Sequence, residues 1–167
     1  IRNIQILIKN NTMRTNTLKK IYYVKGDATN PQTDGNKIIC HICNDVGAWG
    51  AGFVLALSKK WKQPEIAYRN MKKRPLGHVD FIRVTPEIMV ANMIAQHDIK
   101  PDVNGNPPIK YGAVRIALNE VNKMAFQTDS TIHMPRIGCG LAGGKWDEIE
   151  QIIKDVMSVD IYVYDLK

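Results

Sequence analysis

Glycine clusters at two places where a strand-like apolar run gives way to a helix-like one, and this restricts the folds open to the chain more than any other feature. After "NKIICHI" comes "CNDVGAWGAGF", with Gly47, Gly50 and Gly52. After "TIHMPRI" comes "GCGLAGGKW", with Gly138, Gly140, Gly143 and Gly144. A tight turn that needs positive φ explains one or two glycines, but not four within seven residues. Glycine-rich strand-to-helix turns also leave backbone N–H groups bare at a helix N-terminus, where phosphate binds well. Neither loop is the phosphate loop of nucleotide triphosphatases, because GxxxxGK[ST] is missing and Lys145 is followed by Trp146. No glycine triplet with GxGxxG spacing follows the first strand.

The same alternation runs through the chain. "KIYYVKG" and "NKIICHI" read as buried strands. Phe53, Leu57 and Trp61 then recur at helical spacing, and "PEIAYRNMKK" is a second helical piece with Pro64 in its first turn. "HVDFIRVTP" and "IMVANMIAQ" are strands, and "HDIKPDVNGNPPIKYG", with three prolines and two glycines, is a long surface loop. Tyr111, Val114, Leu118, Val121 and Ala125 make an amphipathic helix ahead of the strand "TIHMPRI". A helix from Trp146 and a final strand, "DIYVYDL", close the chain. Alternation of this kind predicts an α/β fold, a three-layer α/β/α sandwich with a mixed, largely parallel central sheet.

At 167 residues the chain suits one domain, able to bury roughly 70% of the surface its unfolded form exposes. Residues 21–167 are read as that domain. Residues 1–20 are read as a basic tail, with the stretch ahead of Met13 an extension. The apolar runs are too short to span a bilayer, so no membrane partner is expected. An excess of 23 Lys and Arg over 16 Asp and Glu gives +7, which favours an anionic ligand. Nucleic acid is not expected, because much of the excess lies in the tail and in "KKWK" and "MKKRP", where solvated faces are the commoner outcome. Three cysteines form no disulfide framework and imply a reducing cytoplasm. A monomer is expected.

Single residues at the strand ends remain open between two readings. Asp27, after Gly26, is either a turn aspartate or an acceptor for an exocyclic amine. Asn44 and Asp45 either make an Asx turn or bond sugar hydroxyls. His41 shares a strand face with Cys43 and is either a satisfied core residue or a group serving the adjacent loop. "CHIC" has CxxC spacing, yet no second pair supports a zinc site, so no metal or cofactor is expected. Cys139 is either a small packed residue or a thiol whose pKa is lowered by glycine amides.

Together, "VKGDATNP", "IICHICNDVGAWGAGFVLAL", "MPRIGCGLAGGKW" and "VYDL", in that order, resemble the macro domain family, which binds ADP-ribose. The resemblance covers residues 21 to 166. It is strongest to the branch with ADP-ribose-1''-phosphate phosphatase and terminal ADP-ribose glycohydrolase. It implies that Asp27 holds the adenine amine, with Ala28 and Leu166 lining the base. Gly50, Ala51 and Gly52 would flank the distal ribose, and the amides of Gly138, Cys139, Gly140, Leu141, Ala142 and Gly143 would hold the diphosphate. The glycohydrolase aspartate after "GCGL" is here Ala142, and its lysine is absent from "MIAQHD", which weighs against removal of ADP-ribose from proteins. The phosphatase pattern survives in His41 and Asn44. The function expected is therefore hydrolysis of ADP-ribose-1''-phosphate, with His41 as general base and Asn44 fixing the ribose. His97 and Asp45 are the next candidates for the base. A non-catalytic ADP-ribose reader and an ADP-ribosyl hydrolase are the alternatives.

Overall fold

Strand and helix alternate as the periodicity predicts, in a computed structural model that describes residues 19–167. The tail expectation for residues 1–20 thus lies, apart from Lys19 and Lys20, outside the described residues. In chain order the elements are β1 (Ile21–Lys25), β2 (Asn36–Asn44), α1 (Phe53–Lys60), α2 (Gln63–Arg69), β3 (Val79–Arg83) and β4 (Ile88–Gln96). They continue with α3 (Tyr111–Thr128), β5 (Ser130–Pro135), α4 (Trp146–Val156) and β6 (Ile161–Asp165). The strands form one sheet in the order β1-β6-β5-β2-β4-β3. Every pairing is parallel except β3 with β4.

The two-residue period of the central strands divides their side chains between two layers. Ile38, Cys40, Met93 and Ile132 point to one face, where α3 and α4 cover them with Val114, Leu118, Ile149 and Ile153. Ile39, Cys43, Val90 and Ile94 point to the other, beneath Val54 and Leu57 of α1 and Tyr68 of α2. The two cysteines of "CHIC" therefore lie on opposite faces and do not converge on one ion. On the α1 side the β5 strand is covered by the loop before β2, where the Thr33 hydroxyl lies 3.3 Å from His133 Nε2.

Chain direction then fixes where a ligand can sit. After β2 the chain leaves for α1 on one face, and after the neighbouring β5 it leaves for α4 on the other. Adjacent parallel strands whose connections part in this way open a crevice at their carboxyl ends. Both glycine loops flank that crevice. Among the described residues no helix is long and apolar enough to cross a membrane.

Two histidines are held neutral inside the sheet. His41 Nε2 lies 2.5 Å from Asn92 Oδ1, and burial pushes its pKa down to about 4. His133 contacts the Thr131 and Tyr164 hydroxyls at 2.7 and 2.8 Å, and burial, helped by Lys37, pushes it down to about 3. Since the unfolded chain titrates these groups near 6.5, it binds more protons than the folded one below that pH. Their contribution to stability is complete above pH ~6.5 and is lost as pH falls towards 4, by about 3 kcal/mol for each group. Thermal unfolding followed by circular dichroism should show a flat Tm above neutrality and a steep decline from pH ~6.5 to 4, shallower in His133→Gln.

Candidate ligand-binding cleft

Three hollows lie along the carboxyl ends of the strands. The first, about 530 Å³, is bordered by Gly26, Asp27, Asn30, Tyr164 and Leu166 at the ends of β1 and β6. The second, about 210 Å³, lies over the β5 and β2 ends between His41, Gly52, Phe53, Arg136 and the Gly138–Ala142 turn. The third, about 420 Å³, extends towards β4 between Asn44, Gly50, Ala51, Gln96 and Ile99. The second and third share Ile42, Ala51, Val54, Gln96 and Leu141. Between the first and second stands an ion pair: Arg136 Nε and Nη2 donate to the two oxygens of Asp165 at 2.7 and 3.0 Å.

In the turn after β5 the glycines have different duties. A Cβ on Gly138, where φ is +72°, would collide with the Ile109 side chain, and one on Gly144 would meet the Gly138 carbonyl. Gly140 is another matter: its φ is ordinary, and a Cβ there would meet nothing within 4 Å. Within the turn the N–H groups of Cys139, Gly143 and Gly144 donate to the carbonyls of Arg136, Gly140 and Gly138. Those of Gly140, Leu141 and Ala142 have no partner among the described residues and remain for a ligand. The expectation that every amide from Gly138 to Gly143 is available is thus corrected for Cys139 and Gly143. The Cys139 thiol is half-buried, and burial raises its pKa, the opposite of an activated thiolate.

The loop after β2 is held from below. Asn44 is buried; its Oδ1 accepts from the N–H groups of Val46 and Ala48 at 3.1 and 3.0 Å, and its Nδ2 donates to the Ala48 carbonyl at 2.8 Å. The Tyr68 hydroxyl lies 2.7 Å from the same Oδ1 and 2.6 Å from the Asn44 carbonyl, while accepting from Gly47 N–H. Trp49 is pinned by its indole N–H to Ser58, whose hydroxyl donates to Glu65. The result presents Gly50, Ala51 and Gly52 bare at the start of α1, with Gly52 at a φ of +80°. Asn44 is therefore the support of the loop. The ribose contact expected of its side chain is not what its polar atoms do here.

His41 borders the second hollow, but its ring is fixed from within. Asn92 Nδ2 donates to the Pro64 carbonyl at 3.0 Å, which turns Asn92 Oδ1 towards His41 and places the imidazole proton on Nε2. The Nδ1 atom carries the lone pair, 3.9 Å from the Cys43 thiol. With a pKa near 4 this imidazole is a weak base, poorly matched to general-base work at neutral pH. It is better described as a wall, with Trp49 edge-on at 5.4 Å and Phe53 at 5.8 Å.

At the first hollow Asp27 accepts from Thr29 N–H and Oγ1 through Oδ1 alone, both at 2.8 Å, which leaves Oδ2 for a donor from solvent or ligand. The turn reading of Asp27 is what these bonds show, and its second oxygen stays open. Leu166 is exposed beside it, whereas Ala28 is buried under the turn and does not border the hollow. Several bordering residues went unnoticed in sequence: Phe53, Gln96, Ile99, Tyr164 and Arg136. Only Arg136, a charged residue at the end of an apolar strand and two before the glycines, carries a signal that could have found it.

No protein-family model matches the chain. A macrodomain protein from Streptomyces coelicolor, solved as a structure, is 44% identical, with a TM-score of 0.76 over 87% of this chain and 99% of that one. A solved protein of unknown function from Bacteroides thetaiotaomicron is 52% identical, with a TM-score of 0.86 over 89% and 99%. Among curated proteins, an ADP-ribose 1''-phosphate phosphatase from Candida albicans is 28% identical over 86% of this chain and 98% of its own length. Chromodomain-helicase-DNA-binding protein 1-like from Danio rerio is 32% identical over 80% of this chain, which spans only 14% of that relative. The glycine loops, the crevice and these similarities agree: the chain belongs to the macrodomain family.

The support role of Asn44 is testable without a ligand. Asn44→Ala should cost about 3 kcal/mol, because it strands buried donors and acceptors at once. Urea unfolding of the variant beside the wild type measures it; a loss below half a kcal/mol would free Asn44 for ligand contact.

Proposed function

We propose that the cleft binds ADP-ribose and hydrolyses ADP-ribose-1''-phosphate to ADP-ribose and phosphate. The observation that carries the reading is the set of unpartnered amides at Gly140, Leu141 and Ala142, facing the bare α1 start across the switch-point crevice. Amides converging from two loops suit a diphosphate, which helix N-termini and backbone donors bind without a lysine or metal. The first hollow, with the free Asp27 oxygen beside Leu166, suits adenine: a carboxylate accepts from its exocyclic amine. The third hollow takes the distal ribose and its 1''-substituent against Gly50 and Ala51. His41 is a neutral wall of the adjoining second hollow, and Asn44 holds the loop that contacts the ribose.

The relative from Candida albicans named as a phosphatase acting on that compound supports the choice of substrate. A glycohydrolase reading draws on a Bos taurus relative, an ADP-ribose glycohydrolase 28% identical to this chain. The side chain after "GCGL" speaks against it, since Ala142 is buried against the core and offers no carboxylate.

Calorimetric titration with ADP-ribose tests the binding half. Asp27→Ala should weaken affinity more than tenfold, through loss of a charge-assisted hydrogen bond of about 1.5–3 kcal/mol. Gly140→Val should leave Tm within a degree or two and abolish binding, because the new side chain enters only the ligand's space; retained affinity in that variant would remove the diphosphate from the turn. Phosphate release from ADP-ribose-1''-phosphate tests the other half, and a wild-type rate no faster than buffer would leave a reader of ADP-ribose.

A further inference from the structure

Asp45 and His97 are the first residues beyond the ends of the neighbouring parallel strands β2 and β4. The Asp45 carboxylate serves two donors. Its Oδ2 lies 2.7 Å from His97 Nδ1, and its Oδ1 accepts from the Asp98 N–H at 2.8 Å. Asp98 stands at a φ of +60°, a conformation that non-glycine residues adopt rarely and that the carboxylate stabilises. Gln96 Nε2 closes the turn on the Asp98 carbonyl at 2.9 Å, and His97 N–H is tied to the Pro108 carbonyl at 2.8 Å. A rigid turn therefore presents one imidazole. Its Nδ1 is bound by a carboxylate, and its Nε2 has no partner among the described residues.

The position of this turn gives the pair its use. Gln96 and Ile99, on either side of His97, border the third hollow, and so does Asn44, which precedes Asp45. The His97 side chain is 59% exposed while that of Asp45 is 17% exposed, so the carboxylate is the sheltered, orienting member. This is the reverse of His41, whose ring is buried and whose Nε2 is already bonded.

We infer that His97, oriented by Asp45, is the proton donor to the leaving oxygen when the 1''-phosphate is hydrolysed in the third hollow. The inference rests on the hydrolase reading above. A water oxygen bonds to phosphorus, and the bond from phosphorus to the 1''-oxygen breaks with its electron pair passing to that oxygen. The 1''-oxygen takes the Nε2 proton of His97, and the proton given up by water returns to the imidazole through solvent, leaving ADP-ribose and hydrogen phosphate. Asp45 favours the imidazolium that makes the donation, and the His97 pKa is raised by that hydrogen bond and charge, with Asp98 adding and Lys110 opposing. The rate should accordingly hold at low pH and fall as pH rises through the His97 pKa.

Phosphate release from ADP-ribose-1''-phosphate, measured from pH 5 to 9 on the whole chain, tests this, with ADP-ribose affinity measured alongside. His97→Gln should lower kcat by ~10²- to 10⁴-fold and abolish the alkaline fall, with ADP-ribose affinity within twofold of wild type. Asp45→Asn should move the alkaline fall to lower pH, a change that loss of a purely structural bond would not produce. A His97→Gln enzyme with wild-type kcat and an unaltered profile overturns the inference and leaves the hydrolase reading standing. Wild type that binds ADP-ribose without releasing phosphate overturns both the inference and that reading, while leaving the binding assignment intact.

Discussion

Parallel pairing of β2 with β5 is the constraint on which the rest of the molecule depends. In register, Asn36 to Ile39 of β2 run beside Ser130 to His133 of β5, so the two strands start together and β2 reaches about three residues beyond Pro135. One chain then turns up towards α1 and the other down towards α4. Side chains alone could not make the resulting gap: it follows from right-handed crossovers on opposite faces of one sheet. Both glycine loops inherit their positions from this single junction, and so do the helix starts that accompany them.

A gap lined by bare amides is unstable unless something beneath it is fully bonded. The Asn44, Tyr68, Ser58 and Glu65 hydrogen bonds do that on one side. Asn92 does it for the sheet interior by joining His41 to the Pro64 carbonyl. Among the described residues no buried side-chain nitrogen or oxygen lacks a partner. Polar satisfaction below and open donors above are complementary: a loop that must not use its own amides needs side chains to hold its shape.

Nearly all of the architecture was legible in the sequence, because each element carried a clear period: Ile149, Ile152, Ile153 and Val156 for α4, for example, or the continuous apolar run of β4. The position of the cleft was legible too, since glycine beside a strand end marks it. What individual polar residues do was not. Asn44 as loop support and Asn44 as ribose contact have the same sequence, and only the four bonds made by its side chain separate them. Ala28 and Leu166 likewise differ by burial, which depends on the fold of the Asp27 turn. The pairing of Asp45 with His97 spans 52 residues and needs the β2–β4 register to be seen.

The two histidines near the cleft show how one side-chain type is given opposite characters by its surroundings. His41 lies among Trp49, Phe53 and Cys43, with an amide oxygen as its polar partner; such a site penalises charge and keeps the ring neutral at any pH above about 4. His97 lies in water with a carboxylate on Nδ1, which favours the charged form. A neutral ring is compatible with packing against a sugar, whereas an imidazolium attracts a dianionic substituent and has a proton to give. His41 stands opposite Asn92, and a one-residue register shift after Cys43 then sets Asn44 opposite Gln96 and brings Asp45 to His97. One strand pair thus supplies an inert floor and, a few residues further along, a titrating rim.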